Sequence, residues 1–232
     1  MLELLYEDRQ ILVVWKPAGV ESQAARGLNA DMVSEIRRHI HNFSPGCAEP
    51  YVGVIHRLDK PVGGIMVYAK DKKAAAALSR QIENGSMKKQ YLAVVCGKVP
   101  QNVDKFVDYL LKDKGQNQSR IVDKGVKGAK RAELLFRELE KAQDTDNRWL
   151  ALLEVTLRTG RHHQIRVQMA GHGLPLWGDR KYNPSFAGEG KGGGNIALAS
   201  HRLSFNHPLT GEAMVFQRTP TGGAFAKFHL CC

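Results

Sequence analysis

No unbroken apolar run in this chain exceeds the six residues Tyr91 to Cys96. A helix that crosses a bilayer needs about 20 such residues in a row, so a helical membrane span is excluded by pattern alone. Near the start stand Glu3, Glu7 and Asp8, with no basic segment leading into a long apolar one, and no secretory signal is expected. Short apolar runs separated by Gly, Pro, Asn and Asp predict many short strands instead.

The runs Leu4 to Tyr6 and Ile11 to Trp15 are β-rich and stop at the turn Lys16-Pro17-Ala18-Gly19. Further strands are expected over Val52 to Leu58, Gly64 to Ala69, Lys88 to Gly97, Trp149 to Leu157, Ile196 to Phe205 and Ala213 to Gln217. Ala132 to Glu140 satisfies either period and is read as a strand. Three stretches carry helical spacing. Asn29 to Asn42 has Met32, Val33, Ile36 and Ile40, with Asn29 or Asp31 as cap and Ser44-Pro45-Gly46 closing it. Lys72 to Glu83 follows the N-cap Asp71, turns Ala75, Leu78 and Ile82 inward, and ends at Asn84-Gly85. His162 to Gly171 is the third.

Strands outnumber helices and do not alternate with them as βαβ units. The expected class is α+β, with a mixed, largely antiparallel sheet, flanking helices and a central active-site cleft. A length of 232 residues suits one domain, 1–232, and 43% apolar residues can build its core.

Charge gives the first functional clue. There are 34 Lys and Arg against 23 Asp and Glu, a net of +11, which points to a polyanion such as a nucleic acid or to a merely well-solvated surface. Lys112 to Arg131 concentrates seven basic residues and two acids. It reads either as a phosphate contact or as a solvated loop. Gly188 to Asn195 holds five glycines without a phosphate-cradling motif and reads as a surface loop. Cys47, Cys96, Cys231 and Cys232 show neither C-x-x-C spacing nor a disulfide framework, so a reduced, cytoplasmic protein is expected.

Three strings carry chemistry. In His56-Arg57-Leu58-Asp59-Lys60-Pro61-Val62-Gly63-Gly64, an extended chain places Arg57 and Asp59 on one side and Leu58 on the other. Cationic His56, Arg57 and Lys60 would keep Asp59 ionised, as a nucleophile or base requires; an ordinary ion pair before a turn is the alternative. In Thr159-Gly160-Arg161-His162-His163-Gln164-Ile165-Arg166-Val167-Gln168, a helix puts His162 and Arg166 on one face, around an N-terminus suited to an anion. Zinc on His162, His163 and His172 is disfavoured: H-E-x-x-H is missing and adjacent histidines diverge on a helix. In Lys88-Lys89-Gln90-Tyr91, the tyrosine either stacks on a base beside phosphate-binding lysines or packs across a sheet.

Together these strings resemble the RluA-type pseudouridine synthases. The match runs through His56-Arg57-Leu58-Asp59 with Gly63 and Gly64, then Lys89, Tyr91, Ala93, Val95 and Gly97, then Gly160-Arg161-x-His163-Gln164-Ile165-Arg166-Val167. Lys16-Pro17-x-Gly19, Gly178-Asp179 with Tyr182, and His207-Pro208-x-Thr210-Gly211-Glu212 fall in the same order, so the resemblance covers nearly the whole chain.

The resemblance implies an isomerase that converts uridine to pseudouridine in ribosomal or transfer RNA, without cofactor or metal. It makes Asp59 the essential aspartate, Tyr91 the tyrosine against the target base, and Arg166 the basic partner of Asp59. His56, Arg57, Lys89, Arg161 and His163 would meet the substrate RNA. Many relatives begin with an S4-like RNA-binding domain, which is not expected here. Lys60-Pro61-Val62-Gly63 and Gln168 depart from residues common in such relatives. The alternatives are a non-catalytic RNA-binding or ribosome-assembly factor on the same scaffold, and a metal-dependent hydrolase built on the histidines.

Overall fold

The computed structural model describes residues 2–24, 31–43, 49–187 and 195–229. Outside them lie Asn29 as a cap, the turn Ser44-Pro45-Gly46, nearly all of the Gly-rich stretch, and Cys47, Cys231 and Cys232. The chain divides into two compact units, Met1–Lys89 with Ser200–Arg218, and Gln90–Ala199 with Thr219–Cys232.

In the first unit, β1 (Glu3–Glu7) and β2 (Ile11–Lys16) form an antiparallel hairpin. Asp8 Oδ1 closes its turn by accepting from Gln10 N at 2.7 Å and Ile11 N at 2.8 Å. After α1 (Met32–Phe43) comes β3 (Gly53–Val54), and both β2 and β3 pair antiparallel with β4 (Gly63–Ala69). Helix α2 (Lys72–Glu83) follows. Strands β10 (Leu198–Asn206) and β11 (Ala213–Gln217) form a late hairpin.

Period-2 alternation sends Ile11 and Val13 of β2, Ile65, Val67 and Ala69 of β4, and Leu203 and Phe205 of β10 into one cluster. Ala74 and Leu78 of α2 cover it. The opposite-facing Leu12, Val14, Met66 and Tyr68 are also buried, so β2 and β4 read as continuous apolar runs. Caps fall where the sequence puts them. Asp71 Oδ1 accepts from Ala74 N at 2.8 Å, worth about 1 kcal/mol. Asp31, of its two candidates, caps α1 through Val33 N at 2.9 Å.

In the second unit, β5 (Lys88–Cys96) pairs with β9 (Trp149–Leu157), β9 with β8 (Lys130–Gln143), β8 with β6 (Lys105–Asp113), and β6 with β7 (Gln118–Val122). Every one of these pairings is antiparallel. Helix α3 (Gln164–Gly171) packs Val167 against Leu110 of β6 and Ala132 of β8. The α+β, largely antiparallel expectation holds.

Four local expectations need correction. The basic stretch Lys112 to Arg131 is not one loop: it contains the end of β6, all of β7 and the start of β8. Val52 to Leu58 yields only the two-residue β3, because the segment leaves the sheet beyond Val54 to enter the Asp59 turn. Helix α3 starts at Gln164, since His163 takes a left-handed φ of +54° as its N-cap. His162 therefore precedes the helix and shares no helical face with Arg166. Nor do the adjacent histidines diverge; their rings stack at 3.8 Å.

Candidate active site

The first unit carries Asp59 at the start of a turn closed by Val62 N donating to Asp59 O at 2.9 Å. Burial alternates as extended geometry requires: His56 and Leu58 are inside, Arg57 is exposed and Asp59 half-buried. Side chains distant in sequence hold this backbone. Ser22 Oγ donates to Leu58 O at 2.9 Å and accepts from Leu58 N at 3.0 Å, standing in for a neighbouring strand. Gly19 N, at a φ of +90°, donates to Lys60 O at 2.8 Å. The turn Lys16-Pro17-Ala18-Gly19 is thereby tied to the Asp59 turn.

Lys16 completes that tie. Its side chain is fully buried, and Nζ donates to Val20 O at 2.6 Å, Pro17 O at 3.0 Å and Lys60 O at 3.3 Å. Burial lowers its pKa from 10.5 to about 8, opposed by attraction to Asp59. The ammonium is thus a positive charge near Asp59, enclosed by carbonyls.

His56 is the reverse case. It is buried, Nε2 accepts from Val67 N at 3.2 Å, and burial, with Lys89 adding repulsion, lowers its pKa to about 3. It is neutral near pH 7, so the expected ring of three cations around Asp59 is wrong: His56 contributes no charge and Lys16 supplies one. With Nε2 accepting, the proton sits on Nδ1, which has no hydrogen-bond partner among the described residues. Lys60 pairs with Glu21 at 3.4 Å near the surface, and burial lowers the pKa of Lys89. Gly64 takes a φ of +138°, and a Cβ there would stand 2.4 Å from Ser200 N. Only glycine fits beside β10 at that point.

The second unit carries Tyr91, Arg161, His163 and Arg166. Tyr91 is buried on β5, opposite Val155 of β9. Arg166 is buried on α3, with Nε donating to Asp179 Oδ2 at 2.8 Å and Nη2 to Asp179 Oδ1 at 2.7 Å. Its guanidinium carbon also lies 5.2 Å from the centre of the Tyr182 ring. Asp179 Oδ1 accepts from Lys181 N as well, which fixes the turn after Gly178. The Tyr182 hydroxyl accepts from Ser119 N at 2.8 Å and meets His163 Nδ1 at 2.8 Å.

Gln164 secures the turn before α3. Its Nε2 donates to Glu133 O at 3.0 Å, while Oε1 accepts from Thr159 Oγ1 at 2.7 Å and Arg161 N at 2.9 Å. The exposed Arg161 donates Nε to Arg131 O at 2.9 Å. Gln168 is buried and donates to Asp108 Oδ2 at 2.6 Å, a packing role.

His172 also pairs with Asp108, at 3.1 Å, and stacks on Phe106 at 3.8 Å. Among the described residues no group of three or more His, Cys, Asp or Glu is placed to hold a metal ion. No described helix is long and apolar enough to cross a membrane. Lys16 and Ser22 are the residues that sequence reasoning missed as parts of this site. A lone Lys ending an apolar run before Pro was a signal for the first, and nothing marked the second.

The fold is that of solved pseudouridylate synthase domains. Human RNA Pseudouridylate Synthase Domain Containing 1 superposes with a TM-score of 0.73 at 21% identity, covering 95% of this chain and 84% of that one. Human RNA Pseudouridylate Synthase Domain Containing 4 gives 0.73 at 21%, over 94% and 88%.

Residues 10–171 match the sequence profile of the RNA pseudouridylate synthase family, and the chain belongs to that family of RNA-modifying isomerases. It is 36% identical over 223 residues to the RNA pseudouridine synthase YlyB of Bacillus subtilis, covering 93% of this chain and 68% of YlyB. It is 33% identical over 216 residues to ribosomal large subunit pseudouridine synthase C of Escherichia coli, covering 91% and 64%. The chain thus spans about two thirds of the length of these curated relatives.

Proposed function

We propose that this chain isomerises uridine to pseudouridine in ribosomal or transfer RNA, with Asp59 as its essential carboxylate. In that reaction the N1–C1′ bond breaks, the uracil turns, and C5 bonds to C1′. C5 gives up a proton and N1 takes one. The atoms balance within one nucleotide, so the chemistry calls for no oxidant, reductant or second substrate.

The nucleotide has to leave its stack first, at a cost of a few kcal/mol. An aromatic face returns about 1–3 kcal/mol of that, the role proposed for Tyr91. Arg166 is proposed as the guanidinium of the reaction, and His56, Arg57, Lys89, Arg161 and His163 as substrate-facing residues. The name of the Escherichia coli relative makes ribosomal large-subunit RNA the first substrate to try. The cytoplasm, where such RNA resides, is the proposed compartment.

The observation that carries this reading is the setting of Asp59. The acid is half-buried on a turn held by Ser22, Gly19 and Lys16, with the buried Lys16 ammonium close enough to be attracted to it. A carboxylate held there can attack C1′ or C6, or take the 2′ proton. Asp59→Asn keeps the shape and removes the charge. It is expected to fold, bind RNA and release no tritium from RNA labelled at uridine C5; release at the parent rate refutes the assignment.

A further inference from the structure

Arginine ends a long, flexible side chain, so the direction in which a guanidinium points is set by what touches it. Arg166 is buried on α3, and the buried carboxylate of Asp179 grips one of its edges. Nε donates to Oδ2 at 2.8 Å and Nη2 to Oδ1 at 2.7 Å. Two parallel hydrogen bonds fix that edge and leave one soft motion. The guanidinium plane can still flap about the line through the two carboxylate oxygens, because acceptor directions at such oxygens are broadly distributed.

The Tyr182 ring stands in the way of that flap. The guanidinium carbon lies over it, 5.2 Å from its centre, within the range of cation–π attraction. The ring is itself immobilised. Its hydroxyl accepts from Ser119 N at 2.8 Å and lies 2.8 Å from His163 Nδ1. The His163 ring meets it edge-on, with centroids 5.6 Å apart and planes at 87°. Tyr182 also packs against Leu110, Ala132 and Val167, and its backbone N donates to Asp179 Oδ1 at 3.3 Å.

The anchor of that hydroxyl is equally well fixed. Ser119 is the buried residue of β7, and its Oγ lies 2.9 Å from His162 Nδ1. His162 Nε2 lies 3.1 Å from Asn117 Oδ1 on the same hairpin. Three separate pieces of chain thus meet at one phenol: β7, the turn before α3, and the turn after Gly178. A phenylalanine would fill the same space, so packing alone does not account for the hydroxyl. Its two contacts keep the ring from sliding along the guanidinium.

We propose that Tyr182 is a positioning residue for Arg166. Pegged through its hydroxyl by Ser119 and His163, its ring closes the one soft direction that Asp179 leaves open. It thereby aims the guanidinium edge that carries Nη1. Tyr182 acts through Arg166 and not on the substrate. The inference rests on the role proposed above for Arg166 in the reaction.

The test compares the parent with Tyr182→Phe, which keeps the ring and deletes the peg, and with Tyr182→Leu, which deletes both. Three quantities are read. Hydrogen exchange of the Arg166 Nε–H is followed by NMR in the protein without RNA, the signal being assigned by its absence in Arg166→Lys. Single-turnover tritium release from RNA labelled at uridine C5 gives kcat. Fluorescence anisotropy with the same RNA gives Kd. Backbone amides of β9 should stay protected in every variant, which shows that the fold is intact; should Tyr182→Leu fail that check, Tyr182→Phe decides alone.

Arg166 Nε–H exchange should quicken by about tenfold in Tyr182→Phe and further in Tyr182→Leu. Over the same series kcat should fall by about tenfold and about 50-fold, the scale of loss expected from a misplaced catalytic group, with Kd within about twofold of the parent. Tyr182→Phe at parental exchange and kcat shows the ring to be filler and overturns the proposal. So does a loss that falls on Kd, which marks a direct substrate contact, or a change in only one of exchange and kcat. Each of these leaves the synthase reading standing. A parent that converts no uridine removes that reading instead, and exchange in the RNA-free protein still decides whether Tyr182 holds Arg166.

Discussion

Replacing Lys16 with Met removes a buried cation near Asp59. Methionine keeps an unbranched chain of similar reach and deletes the ammonium. Two stability effects then oppose each other. A pKa lowered from 10.5 to about 8 means that the charged form costs about 3 kcal/mol at neutral pH in the folded state, and Met removes that cost. Against this, Val20 O and Pro17 O lose their donor, at about 1–3 kcal/mol each. Lys60 O keeps Gly19 N. The net destabilisation should lie between about −1 and +3 kcal/mol, seen as a shift of less than about 12 °C in Tm.

Activity should not be spared, because Asp59 loses the nearby charge and its turn loses a tether. A loss of about 100-fold in kcat is expected, equivalent to about 2.7 kcal/mol, with RNA affinity changed far less. pH gives a second, oppositely signed readout. The folded state binds fewer protons than the unfolded state between pH 8 and 10.5, so Lys16 contributes rising stability across that window. Its charge disappears as pH passes about 8, so kcat should fall on the same limb. Single-turnover tritium release against pH, with parent and Lys16→Met side by side, checks this. A variant with parental kcat, or a basic limb that persists unchanged in the variant, refutes the reasoning.

Two further outcomes are expected. His56 is held neutral by burial, with its pKa lowered from 6.5 to about 3, so its contribution to stability is present above pH 6.5 and is lost as pH falls toward 3. That loss is worth about 5 kcal/mol and should be smaller in His56→Gln, which retains an acceptor for Val67 N; urea unfolding at stepped pH measures it. Gly64→Ala places a Cβ within 2.6 Å of Ser200 N, O and Cβ, at a φ of +138°. It should cost more than about 3 kcal/mol and lower Tm by about 6 °C or more; a parental Tm in differential scanning calorimetry would contradict that.

What could be read in advance was whatever the chain determines locally. Helix α2 runs over its predicted residues because Asp71 caps it and Asn84-Gly85 ends it, all within a few residues of its own backbone. Strand β9 carries a near-continuous apolar run of strand length, shorter than most helices. Strand β6 escaped notice because its buried Phe106 and Leu110 are four residues apart, a spacing that both periods allow. Strand β7 buries only Ser119, so it has no apolar alternation to detect. Its place comes from β6, from Tyr182 and from His162. The start of α3 was set two residues early because nothing in the sequence announces a left-handed histidine.

The site divides in the same way. Motif letters nominated Asp59, Tyr91 and Arg166, but the electrostatics around Asp59 depend on which basic residues are dry. His56 sits three residues away and is neutral; Lys16 sits 43 residues away in sequence and is charged. Enclosed by three carbonyls, Lys16 has no donor left for a phosphate and can act on a substrate only through Asp59 and its turn. The lysines from Lys112 to Lys130 face water, where charges more than about 10 Å apart are screened at about 0.1 M salt. Cations of one formal type therefore serve opposite ends. The exposed set is suited to attracting a polyanion, at the mercy of salt, while the buried one works beyond the reach of counterions and is governed by pH.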